Sequence, residues 1–145
     1  MYQRQFETTA DSFATSDASS GYKYPILLPE GYIWRIDQFL MTAQTTYAAA
    51  DTNYQTFYLA DASANNIASI ANGPATGGLA IGPLVATGID ESMTSTYKYI
   101  DCTSAAAAVY VYTAATGSGL AMLGVKFTVL ATPLRAKPAS VASYG

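Results

Sequence analysis

The sequence predicts an all-β protein, an antiparallel β-sandwich in which an eight-stranded jelly roll is the best-fitting arrangement. Three observations carry this. About seven or eight segments rich in β-branched and aromatic residues, starting near residues 22, 32, 54, 79, 97, 108, 120 and 126, are separated by Gly, Pro and Asn signals. No segment shows a convincing amphipathic helical period. The stretch Gly117 to Ala131 reads with a period of two. Ala121, Leu123, Val125, Phe127, Val129 and Ala131 form an apolar row, while Leu120, Met122, Gly124, Lys126, Thr128 and Leu130 form a mixed one. A strand with such a second face is expected to be partly covered there too.

Taken in order, residues 1–21 are polar, rich in Thr, Ser, Ala and Asp, with Tyr2, Phe6 and Phe13 as widely spaced anchors. They read as an extended N-terminal arm lying on its own domain or on a neighbour. The sandwich domain is expected over 22–132. Pro25 and Pro29 restrict its opening segment to an edge or irregular strand, and Pro29-Glu30-Gly31 is a turn. Tyr32 to Ala43, with Ile33, Phe39 and Met41 against Trp34, Ile36 and Leu40, predicts a strand buried on both sides over part of its length.

Tyr54 to Ala60 resumes strand chemistry, and Asn65-Asn66 marks a turn. Ile67 and Ile70, three apart, suffice for at most a helical turn. The run Asn72 to Gly78 is a loop, followed by short apolar pieces around Leu79 and Leu84. Tyr97 to Thr103 alternates. Ala105 to Ala108 favours helix on propensity alone, but Val109-Tyr-Val-Tyr-Thr113 overrides it in favour of a strand. Thr116-Gly-Ser-Gly119 is expected to close a hairpin onto the long strand. Pro133 ends the sheet, leaving residues 133–145 as a tail with Arg135 and Lys137 and no acidic residue.

Composition narrows the function. Half of the 145 residues are apolar, enough for one domain with a core. Only 12% are charged, roughly half the usual share, so Thr, Ser, Asn, Gln and Tyr supply most of the polar surface, which suits contact with partners. A net charge of −3 with seven scattered basic residues argues against nucleic-acid binding. No stretch of 18 apolar residues and no signal-like apolar segment occurs, so neither a membrane span nor standard secretion is expected. With one cysteine, Cys102, no intrachain disulfide can form. Alternating with Ile100, Cys102 reads as a small buried hydrophobe.

Histidine is absent, which removes Ser-His-Asp and Cys-His catalysis and His-based metal sites from one chain. The nucleophile-elbow pattern Gly-x-Ser-x-Gly is missing. Gly77-Gly78 and Gly117 to Gly124 lack any phosphate-binding spacing. Asp90-Glu91 are adjacent, so in a strand they would face opposite ways and cannot form a glycosidase pair with each other. Asp51, Asn53 and Asp61 offer oxygen ligands but not the spacing of a calcium loop. The twelve tyrosines and Trp34 fit core or interface positions better than a stacking platform. No enzyme activity, cofactor or metal is expected.

The entry strand Pro29-Glu-Gly-Tyr-Ile-Trp-Arg-Ile36, the Ala/Thr/Gly-rich loops and the closing Gly117-to-Val129 segment together resemble the small capsid decoration (cement) proteins of tailed bacteriophages. The resemblance spans roughly residues 22–135 and rests on style rather than on a transferable motif. It implies a jelly-roll or related β domain, a homotrimer or other small homo-oligomer, and binding to the major capsid protein on the exterior of the virion after synthesis in the host cytoplasm. A glycan- or receptor-binding sandwich of a phage fibre is the alternative. For either, the candidate partner-binding residues are Tyr2, Phe6, Phe13, Leu120, Met122, Leu130, Arg135 and Lys137.

Overall fold

The computed structural model describes residues 2–13, 23–73, 80–83 and 96–134, with the backbone alone for 9–13 and 23. Eight strands follow one another: β1 (Arg4–Phe13), β2 (Lys23–Leu28), β3 (Ile33–Thr42), β4 (Tyr54–Ala60), β5 (Asn66–Ala71), β6 (Tyr99–Asp101), β7 (Ala107–Thr116) and β8 (Met122–Leu134). A 3-10 turn, Thr96–Lys98, precedes β6. The strands form two antiparallel four-stranded sheets in the orders β1-β8-β3-β6 and β2-β7-β4-β5, packed face to face as a sandwich. The pairs nest from the chain ends inward: β1 with β8, β2 with β7, β3 with β6 and β4 with β5.

The core lies between the sheets. Phe127 of β8 is its aromatic centre, with ring centroids 5.4 Å from Phe57, 5.7 Å from Tyr24 and 6.1 Å from Phe39. These contacts join β8 and β3 of one sheet to β2 and β4 of the other. Each such pair adds to the area term, and Trp34, Phe39, Phe57 and Phe127 are all fully buried. Trp34 donates its indole N–H to the Pro29 carbonyl at 2.9 Å, so its burial leaves no donor unpaired. Cys102 is buried as expected, and burial pushes its thiol pKa up.

Five expectations are corrected. The sandwich opens at residue 4, not 22. The polar segment Arg4–Phe13 pairs along its length with β8, and Phe6 meets Trp34 edge-on at 5.1 Å. Edge position explains the polarity, since one side of β1 lacks a strand neighbour and its outward side chains meet water. Residues 66–71, where no strand is expected from the sequence, form β5, because Ile67 and Ile70 both reach the core once a register shift opposite Leu59/Ala60 is inserted. The apolar piece near residue 79 contributes only an isolated bridge, Tyr47 to Ile81, among the described residues.

Gly117–Gly119 is a crossover between sheets, not a hairpin. β7 is flanked by β2 and β4, and β8 by β1 and β3, so the two strands joined by this turn have no free side for each other. Gly117 and Gly119 both have positive φ, and a Cβ at Gly117 would collide with the Thr52 carbonyl. Finally, Pro133 does not end the sheet. It stands opposite Trp34 in the pairing of β8 with β3. The β1 pairing stops at Ala131, so Pro133 has a strand on one side only, where a missing N–H is tolerated.

Candidate binding surfaces

The two outer faces of the sandwich differ in chemistry. Alternation sends one side of each strand inward, and the bulge at Ile36/Gln38 puts Asp37 and Gln38 outward in succession. The outer face of β1-β8-β3-β6 carries half-buried Ile33, Leu40, Leu130 and Leu134 among ion pairs. Arg35 Nε lies 2.8 Å from Asp37 Oδ1, and Lys126 Nζ lies 3.4 Å from Glu7. Gln5 also donates to Glu7.

Asp37 is the hub of this face. Its Oδ2 accepts from Thr132 Oγ1 at 2.5 Å and Gln3 Nε2 at 2.9 Å. Burial pushes the Asp37 carboxyl up, but bonds from Thr132, Gln3 and Arg35 together outweigh it and hold the pKa below the usual carboxylate value. The network joins β1's approach, β3 and β8, and so rigidifies the middle of the face.

The outer face of β2-β7-β4-β5 is different. Strands β4, β5 and β7 contain no Asp, Glu, Lys or Arg at all; in β2 Lys23 is the one such residue. Tyr54, Tyr58, Tyr110 and Tyr112 project outward, half-buried, with Pro25 opposite Tyr110 and Tyr58 opposite Tyr112. Beside them Leu27 is 64% exposed.

The sequence-predicted residues are scattered across these surfaces. Tyr2 is 91% exposed. Phe6 is committed to Trp34 inside the sandwich, so it is not a free anchor. Phe13 stands in register opposite Met122, and its side chain lies outside the described residues, as do Arg135 and Lys137 entirely. Leu120 is half-buried against the core, and Leu130 faces outward, opposite Gln5 and Gln38.

Met122 is the clear correction: it is fully buried, while Leu123, assigned to the core row, is 52% exposed. Gly124, with φ of +58°, breaks the alternation. It turns Met122 and Val125, three apart, to the same side and directs Leu123 out. The tyrosine face was missed as a surface although its signal was present, namely Tyr at 54/58 and 110/112 in strands with no charge.

Two of the other candidate ligand oxygens, on Asp61 and Asn53, already accept hydrogen bonds from the protein. Asp61 accepts from the backbone N–H of Ser63 and Asn65 and from the Asn65 amide. Asn53 Oδ1 accepts from Ser118 N and Oγ, each at 3.0 Å. Among the described residues no group of three His, Cys, Asp or Glu side chains could hold a metal ion, and no helix is long and apolar enough to cross a membrane. Asp90-Glu91 and Gly77-Gly78 lie outside the described residues. No family model, no curated protein and no solved structure matches the chain.

Proposed function

We propose that this chain is a structural virion protein, a capsid decoration protein that binds the major capsid protein shell from outside and stabilises it as a homotrimer or other small oligomer. It is made in the host cytoplasm and performs no catalysis. The observation that carries the reading is the outer face of β1-β8-β3-β6. Its half-buried Leu40, Leu130, Ile33 and Leu134, set among the Arg35–Asp37 and Lys126–Glu7 pairs, have the mixed apolar and polar character of a protein contact surface. The nested strand pairing supports the finer fold reading, since an eight-stranded jelly roll is a long antiparallel hairpin wound into two sheets.

The test is cosedimentation of the purified chain with capsid shells lacking a decoration protein, followed by electron microscopy. Ordered density on the shell exterior is expected, with binding reduced at least tenfold by Leu130→Asp. Absence of binding to shells of every capsid tried alongside its own phage particle, or unchanged binding of Leu130→Asp, counts against the reading. A glycan- or receptor-binding module of a phage fibre is the second reading, favoured by the uncharged tyrosine face on the opposite sheet.

A further inference from the structure

The outer face of β2-β7-β4-β5 has an internal relief that its register defines. Tyr58 stands opposite Tyr112, forming one tyrosine row across β4 and β7. Two residues along, Thr56 stands between Ala114 of β7 and Ala71 of β5, a row of small side chains. Two residues further, Tyr54 begins the next row. Its ring is laid against Gly73, where any Cβ would collide with the ring and with the Ala50 carbonyl. Two aromatic walls about 13 Å apart, four residues at ~3.3 Å each, thus flank a floor of Ala71, Thr56 and Ala114.

The charge pattern restricts what could lie there. Every Asp, Glu, Lys and Arg of the eight strands belongs to the opposite sheet except Lys23, which stands in register opposite Tyr112 at one end of the tyrosine row. The floor and the Tyr54 wall therefore carry no charge, a cationic ligand would meet no carboxylate, and an anionic one would meet a cation at that end alone. Size restricts it further. The floor between the walls, three strands about 4.8 Å apart by about 13 Å along them, presents roughly 200 Å² in plan, well below what each partner gives to a standard protein interface. A small neutral ligand fits both limits. Pyranose rings offer apolar C–H faces for tyrosine rings and hydroxyls for Tyr and Thr hydroxyl groups, the pairing of aromatic platform and sparse polar groups that small-molecule sites use.

We propose that this trough binds a neutral oligosaccharide, its chain crossing the strands between Tyr58/Tyr112 and Tyr54. The inference does not depend on shell binding, because it concerns the opposite face and is read on the isolated chain. The experiment screens the full chain on an array of neutral, sialylated and sulfated glycans, then measures the best neutral hits by calorimetry. Tyr54→Ala, Tyr58→Ala and Leu130→Ala are compared, with Tyr58→Phe to retain the ring and thermal unfolding to verify folding. Expected are neutral ligands bound at millimolar Kd or tighter, a loss of at least tenfold in folded Tyr54→Ala or Tyr58→Ala, near-retention in Tyr58→Phe, and no change in Leu130→Ala. The proposal is overturned by binding confined to charged glycans, by no neutral ligand at all, or by alanine variants that bind as the parent does.

Discussion

Phe6 and Trp34 meet edge to face with ring centroids 5.1 Å apart, and this contact ties the first strand of the chain into the same core as the third. Tyr32 extends the cluster, 5.5 Å from Trp34, and the Arg4 guanidinium lies over both rings at 6.0 and 5.8 Å. Residues 4–13 are therefore a working part of the sandwich. Deleting residues 1–15, which on the arm reading would have spared the fold, is expected to unfold it or to lower its denaturation midpoint sharply, since β8 loses one pairing partner along nine registered positions. Phe6→Ala alone should cost about 2–4 kcal/mol. Urea denaturation of both proteins checks this; a deletion variant as stable as the parent would contradict it.

Phe127 contacts aromatic rings from three other strands. Phe127→Ala should destabilise by about 3–5 kcal/mol, the range for emptying a buried aromatic site, and Phe127→Leu by less. Calorimetric unfolding of the two variants measures the ordering.

Gly124 sits at positive φ, with Gln44 Cβ 3.0 Å from where its own Cβ would be. Gly124→Ala should cost about 1–2 kcal/mol through backbone strain. The same turn predicts opposite outcomes for its neighbours. Met122→Ala should cost about 2–4 kcal/mol, whereas Leu123→Ala should stay within about 0.5 kcal/mol. Equal losses at 122 and 123 would refute the placement of the break.

Acid should weaken the fold through its bonded carboxylates. Asp37, Asp61 and Asp101 all have lowered pKa values. Burial raises Asp37 and Asp61, but hydrogen bonds from Thr132, Gln3 and Arg35 and from Asn65 and Ser63 outweigh it; in Asp101 the bonds from Thr103 dominate. A depressed folded-state pKa contributes stability fully present above the unfolded value, near 3.9, and lost as pH falls through the folded one. Stability should be flat from pH 7 to about 5 and decline below about 4. Asp37→Asn should show a shallower decline with falling pH; chemical denaturation at several pH values compares the two proteins.

Much of the fold could be read from residues alone because period-two alternation and burial have the same physical origin in a strand. Trp34, Phe39 and Met41, Phe57, Val109 and Val111, and Val125, Phe127, Val129 and Ala131 all entered the core as their pattern required. The all-β sandwich, the absence of a helix longer than a turn among the described residues, and a buried Cys102 were equally legible. The strand number agreed only because β1 and β5 stand in for the piece near residue 79 and for the two expected starts near 120 and 126, which are one strand, β8. Partnering was not. Whether Arg4–Phe13 is an arm or an edge strand, whether Gly117–Gly119 joins paired strands, and whether Met122 or Leu123 faces inward all depend on long-range pairing and on one backbone angle at Gly124. The tyrosine trough is of the same kind. Tyr54 and Tyr58 lie on β4 and Tyr112 lies on β7, more than fifty positions away, and only sheet register sets them on one face, because a one-residue slip would have turned either row into the core.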